Sequence, residues 1–346
     1  MKNMKVLITH ELFPPEVWNM HEKLVYEIAK RLAENGIEVE VLTTGNPKIK
    51  KFDGIKTFRI PFHRYLMNLS LPWVLWHARN ADIIQTNNYN ACFSSYLAGK
   101  ILGKPVICLI SGMYGKQWIK MRGPVLGRLS MWMERFQAVH DFSKILFLSE
   151  FGRSEGVKIG MKKNLTEVLR PGIEWKKYKM KKKEPFVLFV GRLAKQKGIE
   201  YLIDAAKKLP HVKFVIVGKG ELEEELKRTA PPNVEFAGFV SEKKLVDLYS
   251  RALIFCLPSL GETFGFVQLE AMASGCAIVS TVRIDYKGIN VDAENVEQLT
   301  KAIDHLMKNQ KIAERMGKEN RKIAEKYSWE DFINNLIEIY RSELKI

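Results

Sequence analysis

Short apolar runs recur along this chain, each followed by a polar or glycine-bearing loop and then by apolar residues at helical spacing. Residues 5–9 form the first run, and Leu24, Ile28 and Leu32 then mark one helical face that Asn35-Gly36 ends. Residues 39–43, 83–85, 106–110 and 145–148 repeat the strand pattern, with helices predicted at about 91–102 and 125–139. After a polar stretch the alternation restarts at 186–190 and continues through 212–217, 234–236, 253–257 and 277–279. The tail from Asn295 reads as helical throughout. Strands alternating with helices predict parallel sheets covered on both faces. The pattern therefore predicts an α/β protein of two Rossmann-like domains, 1–172 and 186–328, with parallel sheets facing each other across a cleft. The lysine-rich run 175–185 is too polar to pack and is predicted to lie in a linker spanning 173–185, and the helix 329–346 is expected to cross back to the first domain.

The chain of 346 residues is long enough for two such cores, and its 46% hydrophobic content is that of a soluble globular protein. No apolar run is long enough to span a bilayer, and the N-terminal stretch is too short for a secretory signal, so a cytoplasmic location is expected. Cys92, Cys108, Cys256 and Cys276 lack metal-ligand spacing and read as reduced core thiols. Net charge is +16: residues 1–183 hold 31 Lys and Arg against 15 Asp and Glu, while residues 184–346 hold 24 of each. That asymmetry predicts an anionic partner for the first half, whether a phosphorylated substrate, an acidic membrane surface or nucleic acid.

Candidate chemistry gathers in the second half. Glu262 and Glu270 stand eight residues apart, on a loop after the 253–257 strand and inside a small-residue helix predicted to start near Gly265. Unpaired N–H groups at a helix start favour oxygen-rich ligands, and two flanking carboxylates can hold two sets of hydroxyl groups. A sugar joined to a phosphate has that shape. At the end of the 186–190 strand stands Gly191-Arg192, followed by Lys197-Gly198 at another helix start, a combination suited to a diphosphate. Gly218 to Gly220 and Gly238 to Val240 also follow strands and could border a planar base or simply make tight turns.

This order of segments resembles the retaining GT-B glycosyltransferases of the group that includes glycogen synthases, sucrose synthases and phosphatidylinositol mannosyltransferases (glycosyltransferase family 4, glycosyl transferases group 1). The resemblance covers nearly the whole chain. It is carried by Gly191-Arg192, Lys197-Gly198, Gly218-Lys-Gly220, Gly238-Phe-Val240, Pro258-Ser259, Glu262, and Glu270-Ala-Met-Ala-Ser-Gly275, with Ser149-Glu150 and Arg170-Pro-Gly-Ile-Glu174 earlier. It implies a nucleoside-diphosphate sugar as substrate, no cofactor, and metal-independent transfer to a glycan or lipid-linked acceptor held by the first domain. It further implies that Gly191, Arg192, Lys197, Gly218, Val240, Glu262, Thr263, Phe264, Gly265 and Glu270 form the donor site, with Arg192 and Lys197 on the diphosphate and Glu270 on the ribose. Glu262, Arg192, Lys197 and Ser111 are its catalytic set, and a nucleotide-sugar-binding homologue impaired in catalysis is the alternative.

Three places depart from the family pattern. The loop 13–21 carries Trp18 and Asn19 near the positions of an expected glycine pair, Ser111-Gly112 replaces a usual His-Gly, and the loop 282–288 is short, with Arg283 as a substitute phosphate contact. In the basic half, 65–76 is rich in large apolar groups. Residues 113–128 interleave Lys116, Lys120, Arg122 and Arg128 with Trp118, Ile119 and Met121. Both segments fit an anionic membrane interface, and the protein is expected to sit peripherally on the inner face of the cell membrane. The stripe Leu129, Trp132, Phe136 and Val139 is predicted to face a core instead. Nucleic-acid binding through the basic half is a further alternative but is not expected, since no recognised motif is present.

Overall fold

The computed structural model describes residues 4–16, 20–87 and 89–346. The chain divides into two compact units, one made of Met1–Gly115, Arg128–Arg170 and Glu330–Ile346, the other of Lys116–Gly127 and Pro171–Trp329. Trp18 and Asn19, at the first departure from the family pattern, lie outside the described residues.

The first unit is built on strands β1 (Lys5–Thr9), β2 (Glu38–Thr44), β3 (Lys51–Phe52), β4 (Ile55–Ile60), β5 (Ile83–Asn87), β6 (Val106–Ile110), β7 (Lys144–Phe147) and β8 (Thr166–Val168). They lie in the order β3-β4-β2-β1-β5-β6-β7-β8, with Val6 opposite Val39 on one side and Ile83 on the other. All pairs are parallel except β3 with β4. The predicted strands are all present. β3, β4 and β8 are additions at the sheet's margins, where short runs carrying Lys, Thr and Glu leave little apolar signal. The helix Trp329–Leu344 belongs to this unit, where Tyr340 is fully buried and its hydroxyl donates to Gln85 Oε1 on β5.

The second unit holds β9 (Glu184–Val190), β10 (Lys213–Val217), β11 (Val234–Gly238), β12 (Ala252–Leu257), β13 (Ala277–Ser280) and β14 (Gly288–Asn290). Their order, β11-β10-β9-β12-β13-β14, is parallel throughout, and β12 is buried along its whole length. Strand order reverses between β9 and β12, because the chain leaves β9 toward β10 and returns on the other side. A reversal of this kind opens a crevice at the carboxyl ends of the two strands. The four cysteines are buried, with Cys92 and Cys108 sulfurs 3.9 Å apart.

Four expectations need correction. The run 175–185, predicted too polar to pack, lies against the second unit. Tyr178 is buried edge-on to Tyr249, and Lys183 Nζ donates to the carbonyls of Ser250 at 3.1 Å and Ser274 at 2.8 Å. The lysine stem covers apolar surface while its head finds carbonyl oxygens, so a lysine-rich run can pack. Trp118, read as a membrane contact, is buried, with Arg122 stacked 4.7 Å from its ring. The stripe predicted to face a core points outward: Leu129 is 54%, Trp132 61% and Val139 70% exposed. Finally, the positive charge is not confined to one part. Counted by structural unit, the first carries 24 basic against 18 acidic residues and the second 31 against 21, because 116–127 and 171–183 belong to the second.

Candidate donor site

The site assembles at the reversal point of the second sheet, from two loops fastened to each other. The loop after β9 turns through Lys195–Lys197 into Gly198, which adopts φ +60° and opens the helix Ile199–Lys208. A side chain at Gly198 would come within 2.2 Å of the Pro258 carbonyl oxygen, so only glycine lets this turn lie against the loop after β12. The backbone N–H of Leu260 then donates to the Gln196 carbonyl at 2.9 Å, and Thr281 Oγ1 donates to the Ser259 carbonyl at 2.6 Å. Three chain segments are thereby locked together at the carboxyl ends of β9, β12 and β13.

That fastening brings Lys197 and Glu262 into contact. Lys197 Nζ lies 2.8 Å from Glu262 Oε2, which also accepts the Ser259 hydroxyl at 3.0 Å. The side chains are 21% and 17% exposed, so the pair is largely withdrawn from water without being sealed. Four residues on, the helix Phe266–Ala273 begins from Gly265. Its first N–H groups have no intrahelical partner and add positive potential beside the pair. Gly265 sits tightly over Leu257, while Thr263 and Phe264 are buried, with Phe264 packed edge-on against Phe266. Their backbone, rather than their side chains, is what they offer a ligand.

Glu270 stands one turn into the same helix. Its Oε2 accepts the Tyr249 hydroxyl at 3.1 Å, and Tyr178, edge-on to Tyr249, lies close to the same carboxylate. Burial, with Glu270 close by, raises both phenols above their ordinary range, so they remain donors and fix the carboxylate's orientation. Tyr178 is a contributor the sequence reading misses. The signal was a lone aromatic ring within a lysine run, whose composition masked it.

The remaining predicted residues fall into two groups. Gly191 and Gly218 meet backbone to backbone, since a side chain on Gly218 would stand 1.8 Å from the Gly191 carbonyl oxygen, and Gly191 N–H donates to Val217 at 3.0 Å. Close strand-end packing therefore accounts for both glycines, which border the crevice. Val240 follows β11, two strands from the reversal point. Arg192 is exposed and paired with Glu221 at 3.2 Å, and Arg283 lies 3.7 Å from Asp292. Such surface pairs contribute about 0–1 kcal/mol, so either arginine can leave its partner for a phosphate. Ser111 belongs to the first unit, just past the end of β6.

A basic group and a helix start beside one carboxylate, with a second carboxylate a few residues on, can neutralise an anion while orienting hydroxyl groups. Known proteins share this chain's features. The family described as Glycosyl transferases group 1 matches residues 173–323, and Glycosyltransferase Family 4 matches 21–176. An uncharacterized glycosyltransferase of Methanocaldococcus jannaschii is 32% identical over 180 residues, 47% of this chain and 46% of that protein. This chain thus spans about half the length of that relative. Among solved structures, sucrose-phosphate synthase from Thermosynechococcus elongatus superposes with a TM-score of 0.81 at 20% identity, covering 98% of this chain and 99% of that one. HepE of Anabaena, solved in complex with UDP-glucose, gives 0.77 at 19% identity, covering 98% and 100%.

Proposed function

The chain belongs to the glycosyltransferases of family 4 and group 1, with the GT-B fold, and from that premise we propose that it moves a hexose from a nucleoside-diphosphate sugar to a glycan or lipid-linked acceptor, with retention and without a metal ion. The observation that carries this reading is the Lys197–Glu262 pair beside a helix start at the reversal point of the second sheet. In this reading Lys197 exchanges Glu262 for the donor's diphosphate and, with Arg192 and the helix N–H groups, stabilises the charge that grows on the leaving nucleotide. Glu262, released from Lys197, receives hydroxyl groups of the sugar. Glu270, oriented by Tyr249 and Tyr178, receives those of the ribose. The first unit, which carries Ser111, holds the acceptor. UDP is the first nucleotide to test, since HepE is known with UDP-glucose.

Thermal-shift measurements with UDP, GDP, ADP and their sugar conjugates test the donor reading. A ligand one hundredfold above its Kd adds about 2.7 kcal/mol of stability, which is readily measured. If no nucleotide raises the melting temperature, the donor site is wrongly assigned. A second reading, a homologue that binds the donor without turning it over, draws on Ser111, which cannot carry a proton near neutral pH as histidine can. Donor binding that Lys197→Ala abolishes, with neither hydrolysis nor transfer by the unaltered protein, would select it.

A further inference from the structure

The helix Gln117–Val139, interrupted at Gly123, presents its two faces the wrong way round for a protein in water. Its inward positions past the break are polar or small: Ser130, Glu134, Gln137 and Ala138 are all buried. Leu129, Trp132 and Val139, spaced three and seven apart on the other face, are the exposed ones. The orientation is fixed by Glu134. Its Oε1 accepts from the Tyr89 hydroxyl at 2.7 Å and the Tyr114 N–H at 2.8 Å, and its Oε2 from the Gly115 N–H at 2.9 Å. Rotating the helix to bury its apolar stripe would strip a buried carboxylate of three donors and leave its charge uncompensated. The stripe therefore stays outside.

The exposed apolar surface extends beyond the helix. Trp132 stacks on Phe136 at 5.7 Å, and Phe136 meets Phe93 at 5.3 Å. Phe93 is itself partly exposed, and its N–H is held by Asn68, on the turn that carries exposed Leu69. The charges beside the stripe have one sign. Arg128 and Arg135, seven residues apart on its flank, are exposed and have no carboxylate partner among the described residues. Glu134 is the only acidic residue of the whole helix, and it faces inward.

We propose that this face docks on an anionic lipid bilayer, with Leu129, Trp132 and Val139 in the interfacial layer and Arg128 and Arg135 among the headgroups. A tryptophan between aliphatic groups and flanking arginines is the composition that interface favours. No helix among the described residues is long and apolar enough to cross a membrane, so the contact is made from one side. A second copy of the chain is the poorer occupant, because it would set Arg128 and Arg135 against their own counterparts with no carboxylate on the stripe to meet them. The proposal stands apart from the donor site, and its test reads lipid binding alone.

The test is co-sedimentation of the full chain with phosphatidylcholine vesicles, with and without phosphatidylglycerol. The protein should pellet with the anionic vesicles only. Leu129→Ser with Trp132→Ser should abolish binding, and Arg128→Ala or Arg135→Ala should each weaken it about fivefold. Since these side chains are exposed, melting temperatures should be unchanged, and the arginine variants serve if the double serine variant fails to fold. Three results would overturn the proposal: no pelleting with either vesicle, equal pelleting with both, or a dimer in solution that Trp132→Ser converts to monomer.

Discussion

At the residue scale, Lys197 and Glu262 hold each other, so each can be tested through what it does when the other is removed. Lys197→Ala should weaken nucleotide-diphosphate binding about ten- to a hundredfold, the worth of a charge-assisted hydrogen bond, as read by titration calorimetry. Glu262→Gln keeps shape and loses charge, so nucleotide affinity should hold while turnover of the donor sugar falls. Equal activity in both variants would remove this pair from the site. Tyr249→Phe should raise the donor KM several-fold and leave kcat nearly unchanged, because it frees Glu270 to rotate without touching the reacting centre. Another titrating group lies in the first unit. His10 is buried at the end of β1, and burial first, then His21 and Arg64, push its pKa down to about 3. The folded state thus keeps His10 neutral while the unfolded chain protonates near pH 6.5. Stability should be intact above that value and fall by about 1.4 kcal/mol per unit as pH drops below it. His10→Asn should flatten the slope of melting temperature against pH between about 6 and 4.

At the scale of elements, the site depends on one turn touching another. Gly198 takes a left-handed conformation and passes under the Pro258 carbonyl, so Gly198→Ala adds about 1–2 kcal/mol of backbone strain to a direct clash. The two loops should part, with nucleotide affinity falling further than global stability when both are measured on one preparation. Elements were the most legible feature of the sequence. Strands such as Val106–Ile110 and Ala252–Leu257 are unbroken apolar runs because they are buried on both faces. Burial was less legible. The stripe through Leu129 and Trp132 has the period of a core helix, and periodicity cannot distinguish a face turned to a core from one turned to some other apolar surroundings. What separates the two is Glu134 and its three donors, from Tyr89, Tyr114 and Gly115. Those partners stand some 20 to 45 residues away, where no local pattern reaches.

At the scale of the whole molecule, sequence halves and structural units differ. A division near residue 183 puts all of the excess positive charge in the first half, whereas the units carry excesses of 6 and 10. The long-range electrostatic argument for an anionic partner of the first half therefore gives way to the local one at Arg128 and Arg135. The parts of the candidate site, Arg192 to Gly198 and Pro258 to Glu270, stood out in the sequence because they come from two contiguous stretches of one unit. Tyr178 did not, since its role appears only once the chain before β9 folds onto Tyr249. The helix Trp329–Leu344 gives the test at this scale. Removing residues 330–346 exposes the centre of the first sheet at Gln85 and takes away the buried Phe332, Leu336 and Tyr340. The first unit should unfold while UDP still raises the melting temperature of the second.

That same helix sets the order in which the molecule can be completed on a ribosome. The amino-terminal unit begins first, yet the piece that covers its sheet is made only after every residue of the other unit. Proteolysis of nascent chains halted before residue 330 should cut the leading unit and spare the trailing one. Until that helix emerges, the growing chain exposes an unfinished core, which a cell making this protein has to shield.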